Sequence, residues 1–275
     1  MLAAMVIVGC LAGCRKDKVT PEYVTLSVQF EDGNGTKSYM TPYYMHPRWE
    51  EGDTIYINSK PYRIKKVNDR YIVDSVESAG TYNAYFFADE NFKTDDNTVD
   101  GSCIFTLNDK QDYQVIQNYS VDTTIKFGAP MVATSTNMSL TFKNTCAVLA
   151  IQITNKKANA IKIDTIKVIA TGKEGKPIYL YGTLTASYDN GTSSIESEES
   201  GSNAVKLNCQ NTEIRADTNK TFFIYVPPTT DTATFKIKVI DYYKTELFSK
   251  DSKEMRLEKG KYVKVPITIE DQTKK

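Results

Sequence analysis

Apolar and polar residues alternate with a period of two along almost the whole chain. The stretch YVTLSVQF, residues 23–30, is the first clear case, and the turn-forming residues EDGNG follow it directly. Alternation of this kind places every second side chain on one face of a β-strand. No segment of the sequence carries the sustained stripe of an amphipathic helix with caps. The pattern therefore predicts an all-β protein.

The stretch YRIKKVNDRYIVDSV predicts a β-hairpin. Asn68 and Asp69 lie between two alternating segments, and both residue types suit a tight turn. Four apolar or aromatic side chains then share the inward face of the hairpin. These are Tyr62, Ile64, Tyr71 and Val73.

A second set of strand-like segments begins near Asn137. Residues 148–153 form a nearly continuous apolar run, which is typical of a central strand that is covered on both faces. Many short strands between turn signals favour antiparallel sandwiches. Two sets of them predict two antiparallel β-sandwich domains in series, at residues 14–137 and 138–275. Residues 192–203 are polar and predict a solvated loop.

The N-terminus predicts export and lipid attachment. The apolar run from Leu2 to Gly13 is about a dozen residues long, whereas a membrane-spanning helix needs about 20, so we expect residues 1–13 to be a lipoprotein signal peptide. Leu11-Ala12-Gly13-Cys14 resembles a bacterial lipobox, whose cysteine thiolate takes a diacylglycerol before the chain is cut ahead of it. We expect Cys14 to carry the lipid, with Cys10 as the second choice. A simple signal peptide with incidental cysteines is the alternative.

Net charge bears on the choice of partners, and cysteine content bears on disulfide bonds. The chain has 275 residues, with 34 Lys and Arg against 34 Asp and Glu, so nothing in its net charge favours nucleic acid. Beyond the N-terminal segment only Cys103, Cys146 and Cys209 remain, and they are far apart. One pair could form a disulfide. Because Cys146 lies in an apolar strand, we expect it to be a buried free thiol.

Residues for catalysis are scarce. The one histidine, His46, lies in a loop next to a proline, and no nearby residues suggest a triad. Residues 95–101 loosely match a calcium loop, but Leu107 stands where a glutamate should close it. The sequence predicts no catalytic, cofactor or metal site, and favours a protein that works by binding. A hydrolase with two distant carboxylates is a weaker alternative.

Several segments, taken in order, resemble one protein family. RWEEGDTIYI resembles the Trp-x-x-Gly-Asp-x-Ile signature of Bacteroidales fimbrillin-type proteins, and GAPMVATSTNMSLTFKNTCAVLAIQIT resembles the segment that joins their two domains. YLYGTLT, FFIYVPP and GKYVKVPITI stand where later family strands do. With the lipobox, the chain resembles the fimbrillin and minor-fimbrillin-like lipoproteins of type V pili.

The resemblance implies a fold, a location and a way of assembling. It implies transthyretin-like sandwiches on an outer-membrane lipoprotein, lipid-anchored at the cell surface or in a fimbrium, that joins other fimbrillin-like subunits by β-strand addition. Residues 24–30 would be the leaving strand, after a proteolytic cut following Arg48 or Arg15. The donor would be a C-terminal strand near residues 262–269, where Pro266 suggests an edge strand. An ordinary permanent edge strand is the alternative.

Trp49 allows two interpretations. As the only tryptophan it could stack on a sugar, which would suit a surface glycan-binding lipoprotein that does not polymerise and that contacts host or bacterial surface glycans or proteins. It also directly precedes a turn and a strand. We therefore favour a ring that covers one end of a sandwich core.

Overall fold

The computed structural model describes residues 21–31, 49, 51–86, 92–94, 102–113, 130–176, 178–189, 193–195 and 202–271, with backbone alone at 92–94, 193–195 and 262. These residues are almost entirely β-strand, so the all-β prediction is confirmed. The described ranges hold one short 3-10 turn, Lys173–Gly175, and no α-helix. None of their helical structure is long and apolar enough to cross a membrane.

Twenty strands follow one another along the described chain. They are β1 (Tyr23–Phe30), β2 (Thr54–Ile57), β3 (Lys60–Arg63), β4 (Lys65–Val67), β5 (Arg70–Glu77), β6 (Tyr82–Phe86), β7 (Phe92–Thr94), β8 (Ser102–Leu107), β9 (Lys110–Asp112), β10 (Met131–Ser135), β11 (Ser139–Asn144), β12 (Ala147–Asn155), β13 (Ile161–Gly172), β14 (Gly182–Ser187), β15 (Ser193–Ile195), β16 (Ala204–Ile214), β17 (Asn219–Val226), β18 (Ala233–Asp241), β19 (Glu246–Asp251) and β20 (Tyr262–Ile269).

The largest sheet has eight strands in the order β3-β2-β6-β10-β11-β1-β5-β4. Its first and last strands are consecutive pieces of chain, separated only by the buried residue Ile64. The backbone of Ile64 pairs with that of Gly52 and Asp53 at this corner. The two ends of the strand order are therefore joined by the chain at Ile64, and the inward side chains form one core that includes Leu26, Ile64 and Phe142.

The predicted hairpin is present at β4 and β5. Asn68 and Asp69 connect the two strands, and both have positive φ, at 48° and 60°. Two consecutive residues with positive φ are what a type I′ turn requires, and asparagine and aspartate tolerate that conformation. All four side chains predicted to point inward pack in the core, either buried or half-buried. These are Tyr62, Ile64, Tyr71 and Val73.

A second core lies between a three-stranded and a five-stranded sheet. The orders are β17-β12-β20 and β19-β18-β13-β16-β9. Strand β12, predicted as a central strand, pairs antiparallel with β17 and parallel with β20. Its side chains Leu149, Ile151 and Ile153 are fully buried in that core. Apolar residues on both sides of this strand explain why its sequence shows little alternation.

Strands from both sides of residue 137 share sheets. β11 pairs with β1, β14 pairs with β8 in a four-stranded sheet, and β16 pairs with β9. A third buried cluster also joins side chains from both segments, among them Phe105 and Leu184. The division into two domains at this position, and the transthyretin-like topology, stay predictions.

Most pairings are antiparallel, as expected, but three are parallel. They are β1 with β11, β12 with β20, and β16 with β9. Each joins strands that are far apart in the sequence. Because no hairpin connects them, no local turn determines their relative direction, and alternation alone does not reveal it.

Candidate functional site

Strand β1 lies inside the eight-stranded sheet rather than at its edge. It pairs parallel with β11, from Ser27 opposite Ser139 to Phe30 opposite Phe142. It pairs antiparallel with β5, beginning with Tyr23 opposite Glu77. Both backbone edges of β1 are therefore hydrogen-bonded. If β1 left, two sheet edges would face each other across a gap one strand wide. We call this gap the β1 slot.

The inward face of β1 is apolar with a strict period of two. Leu26 and Val28 are buried, and Val24 and Phe30 pack half-buried against the same core. Burying one such side chain contributes about 1.5–3 kcal/mol, so Leu26 and Val28 together contribute about 3–6 kcal/mol. The slot thus offers an incoming strand both backbone hydrogen bonds and apolar burial.

Hydrogen bonds from Ser27, Gln29 and Glu31 show how the outer edge of β1 meets β11. Ser27 donates both its N–H and its hydroxyl to the carbonyl of Met138, at 2.9 and 3.1 Å. The Gln29 amide donates to the Thr141 hydroxyl at 2.8 Å. The N–H of Glu31, just beyond the strand, donates to the carbonyl of Phe142 at 2.8 Å. The N–H groups at these alternate, outward-facing positions point toward β11.

A β-bulge in β5 determines the register of β1. The pairing shifts between Val24 opposite Val76 and Leu26 opposite Val73, so β5 carries one extra residue there. Ser75 in this extra stretch has a positive φ of 57°. A bulge interrupts the regular ladder, so a strand that slides by two residues meets a different hydrogen-bonding pattern.

Trp49 closes the core beside the last residue of β1. Its side chain is 3% exposed. Its ring stacks on Phe30 at 4.5 Å between centroids and meets Phe86 and Phe142 edge-on at 4.9 and 5.1 Å. Among the described residues, its Nε1 has no hydrogen-bond partner. This is the arrangement of a ring that covers the end of a core. Glycan stacking by Trp49 stays a prediction, and it would require the ring to leave these contacts.

Four predicted site residues lie outside the described residues: Cys10, Cys14, Arg15 and Arg48. Lipid attachment and proteolysis at these positions stay predictions. Their order along the chain still distinguishes the two arginines. Arg48 lies between β1 and Trp49, whereas Arg15 precedes β1.

Strand β20, predicted as a donor, is the last strand of its sheet in the described part of the chain. It pairs with β12 over eight residues, from Val148 opposite Tyr262 to Asn155 opposite Ile269. Ile267 and Ile269 are buried in the second core. A strand that ends a sheet is a position where Pro266 is tolerated, as the sequence suggested.

A side chain that sequence reasoning missed covers one edge of β17. Gln111 of β9 is 1% exposed. Its Nε2 donates to the carbonyl of Tyr225 at 2.7 Å, and its Oε1 accepts from the N–H of Tyr225 at 2.9 Å. The amide takes the place that a neighbouring strand's backbone would have. Covering an edge in this way limits unwanted strand addition at that point.

An exposed aromatic pair was also missed. Tyr242 and Tyr243 lie at the turn between β18 and β19, with ring centroids 5.3 Å apart, and Tyr243 is 82% exposed. An ion pair of 2.7 Å between Lys244 and Asp164 ties this turn to β13. In the sequence the two tyrosines continue an alternating strand, so only their place at a turn reveals their exposure.

The three cysteines of the body are free thiols, so no disulfide joins them. Burial raises the pKa of Cys103 and of Cys146 to about 12, and it also raises the pKa of Cys209. The expected burial of Cys146 is confirmed. In the described residues, no group of three or more His, Cys, Asp or Glu side chains is placed to hold a metal ion.

We expect these three thiols to resist alkylation in the folded protein. Because their pKa values are raised, thiolate should stay scarce even at about pH 9, where an exposed thiol is mostly ionised. Mass-spectrometric mapping after iodoacetamide treatment should find Cys103, Cys146 and Cys209 unmodified in buffer and modified in concentrated urea. Rapid labelling of any of them in buffer would contradict the packing described above.

Comparisons with known proteins find likenesses among solved structures. A candidate cell adhesion protein from Bacteroides ovatus is 11% identical, with 92% of this chain and 93% of that chain covered and a TM-score of 0.48. The fimbrial anchor protein Mfa2 from Porphyromonas gingivalis is 11% identical, with 84% and 82% covered and a TM-score of 0.38. GBS52, the minor pilin of Streptococcus agalactiae, is 8% identical, with 91% and 97% covered and a TM-score of 0.28. No protein-family model and no curated protein matches the chain.

Proposed function

We propose that this chain is an exported lipoprotein that serves as a structural or adhesive subunit of a type V-like pilus. It joins another subunit by exchanging β1 for a strand of its neighbour. The observation that carries the proposal is the place of β1, which comes first among the described strands yet lies inside the eight-stranded sheet, between β11 and β5. It works by binding, through backbone edges and an apolar groove.

The physical basis is strand addition. Removal of β1 would uncover apolar side chains and two rows of backbone groups, on β11 and on β5. A replacement strand would restore the hydrogen bonds through its backbone and the burial through alternate side chains. The free energy gained when a strand fills the slot would be of the same order as the free energy that burial of the β1 side chains now contributes.

Arg48 suits the proposed cut better than Arg15. A cut after Arg48 separates β1 from the body of the protein, because Arg48 follows Phe30, the last residue of β1, and precedes Trp49 and the strands after it. The same cut detaches the body from Cys14, so release of the strand and release from the lipid anchor would coincide. A cut after Arg15 would remove the anchor and leave β1 covalently attached.

We expect cleavage after Arg48 to make β1 exchangeable. The protein is treated with an arginine-specific protease, and intact mass selects molecules cut after Arg48. A fluorescent peptide of residues 21–31 is then added in mild denaturant. Cleaved wild-type protein should co-elute with the peptide on size exclusion. Arg48→Gln should not, since its β1 remains tethered, and the matched control Arg15→Gln should behave as wild type.

The opposite result would contradict strand exchange. If the wild-type body, verified as cut after Arg48, keeps its original β1 and excludes the labelled peptide, then β1 is a permanent strand. Strand exchange would then be wrong for this chain. Equal uptake by the Arg48→Gln variant would show that the peptide binds elsewhere than in the β1 slot.

A further inference from the structure

We infer that the β1 slot takes its strand from a different protein, and not β20 from a second copy of this chain. The inference rests on the proposed strand exchange and adds to it the chemistry of the partner. It follows from three properties of the slot compared with the sequence of β20.

The first property is that each position from Leu26 to Phe30 lies opposite a paired residue of β5, of β11 or of both. Ser27 uses its N–H and its hydroxyl on the carbonyl of Met138, and Glu31 uses its N–H on Phe142. The opposite edge of β1 pairs with β5. A proline has no N–H, so at a position whose N–H is paired with a neighbouring strand it loses one ladder hydrogen bond.

β20 carries Pro266 near its middle. If Val263 of β20 takes the place of Val24, the four alternate apolar residues of β20 match the inward face of β1. Pro266 then takes the place of Ser27. If the strand slides by two residues one way, Pro266 stands at Gln29, whose neighbours on the same face, Ser27 and Glu31, both donate to the β11 edge. In both registers the proline removes a hydrogen bond.

The second property of the slot is the aromatic contact at its end. If β20 slides by two residues in the other direction, Pro266 costs no ladder hydrogen bond, but this contact is lost. Pro266 would then stand at Thr25, before the first paired residue of β11. In this register Asp271 would take the place of Phe30. Phe30 stacks on Trp49 at 4.5 Å, so a carboxylate there would replace an aromatic contact at the closed end of the core. Burying a carboxylate against an aromatic ring is unfavourable.

The third property is that β20 is already in use. It pairs with β12 over eight residues, and Ile267 and Ile269 are buried in the second core. Donation to another subunit would uncover that core. The partner strand is therefore one from a different chain, with four alternate apolar residues, a backbone N–H at each position that replaces residues 26–30, and an aromatic ring where Phe30 now lies.

The test uses full-length protein cut after Arg48 and the labelled peptide of residues 21–31 as the probe. Unlabelled peptides of residues 261–271 compete with it: the wild-type sequence, P266S, P266S/I269F, and T268S as a control on an outward position. The wild-type peptide should compete at least about a hundredfold more weakly than unlabelled residues 21–31. P266S should recover about tenfold to a hundredfold, because a lost buried hydrogen bond changes affinity by that order.

We expect the added I269F to improve competition further through stacking on Trp49, and T268S to change nothing. If the wild-type 261–271 peptide competes within about threefold of residues 21–31, and P266S gains nothing, the slot accepts this chain's own strand and the inference is wrong. If the labelled 21–31 peptide never enters the slot, the proposed function itself fails, which is a distinguishable result.

Discussion

Replacing Trp49 by alanine is expected to lower the free energy of unfolding by about 3–5 kcal/mol, the range typical of large aromatic residues removed from a core. The indole is nearly fully buried and contacts Phe30, Phe86 and Phe142. Its loss leaves a cavity bordered by three rings, each of which also loses an aromatic contact. Because the chain has no other tryptophan, urea unfolding should be followed by circular dichroism.

Two further variants test whether the loss of stability comes from the packing of Trp49 or follows the removal of any aromatic side chain. Trp49→Phe keeps a ring in the same place and should lower the free energy of unfolding by less than half as much as Trp49→Ala does. Tyr243→Ala removes an aromatic ring that is 82% exposed and should change stability by less than about 0.5 kcal/mol. A Trp49→Ala protein as stable as Tyr243→Ala would mean that the indole is exposed in solution, which would favour the glycan-stacking interpretation.

Replacing Gln111 by alanine is expected to cost about 2–6 kcal/mol. The substitution removes two buried hydrogen bonds to the backbone of Tyr225, and each buried group that loses its bond costs about 1–3 kcal/mol. The effect should be local to the edge of β17. Hydrogen exchange at the Tyr225 amide should therefore accelerate, in addition to a lower midpoint in urea.

Gln111→Met distinguishes lost hydrogen bonds from lost volume. Methionine fills a similar space without polar atoms, so it should be nearly as destabilising as alanine if the two hydrogen bonds dominate. Asn208→Ala is the matched control, since its amide also makes two hydrogen bonds, but both are exposed: it donates to Asp112 at 2.8 Å and accepts from the N–H of Gln210 at 3.1 Å. A Gln111→Met protein with wild-type stability would show that the two hydrogen bonds to the backbone of Tyr225 contribute little to the free energy of unfolding.

Local patterns in the sequence predicted local structure well. The alternation in residues 23–30 gives β1, the Asn68-Asp69 pair gives the hairpin turn, and the apolar run at 148–153 gives the central strand β12. In each case the signal lies within the segment itself: side-chain period, residues that tolerate positive φ, or continuous apolarity. The position of Trp49 at the end of a core followed from the turn and strand directly after it.

Features that depend on distant residues were not predictable in the same way. The parallel direction of β1 on β11 joins residues more than a hundred positions apart, and no short turn signals it. Gln111 acts as a substitute for backbone, a role that depends on where β17 lies and not on the residues beside it. The corner at Ile64 looks in sequence like one uninterrupted strand, because a buried isoleucine suits both a strand and a bend.

That corner determines what an empty slot would look like. Without β1, the edges of β11 and β5 would still be connected through β10, β6, β2, β3, Ile64 and β4. The rest of the sheet would hold them at about twice the usual strand spacing of 4.7–4.9 Å, which is the width a single guest strand needs. If the slot keeps this shape, the receptor would be preorganised: only the incoming peptide would become ordered on binding, so less binding free energy would be lost to rearrangement of the protein.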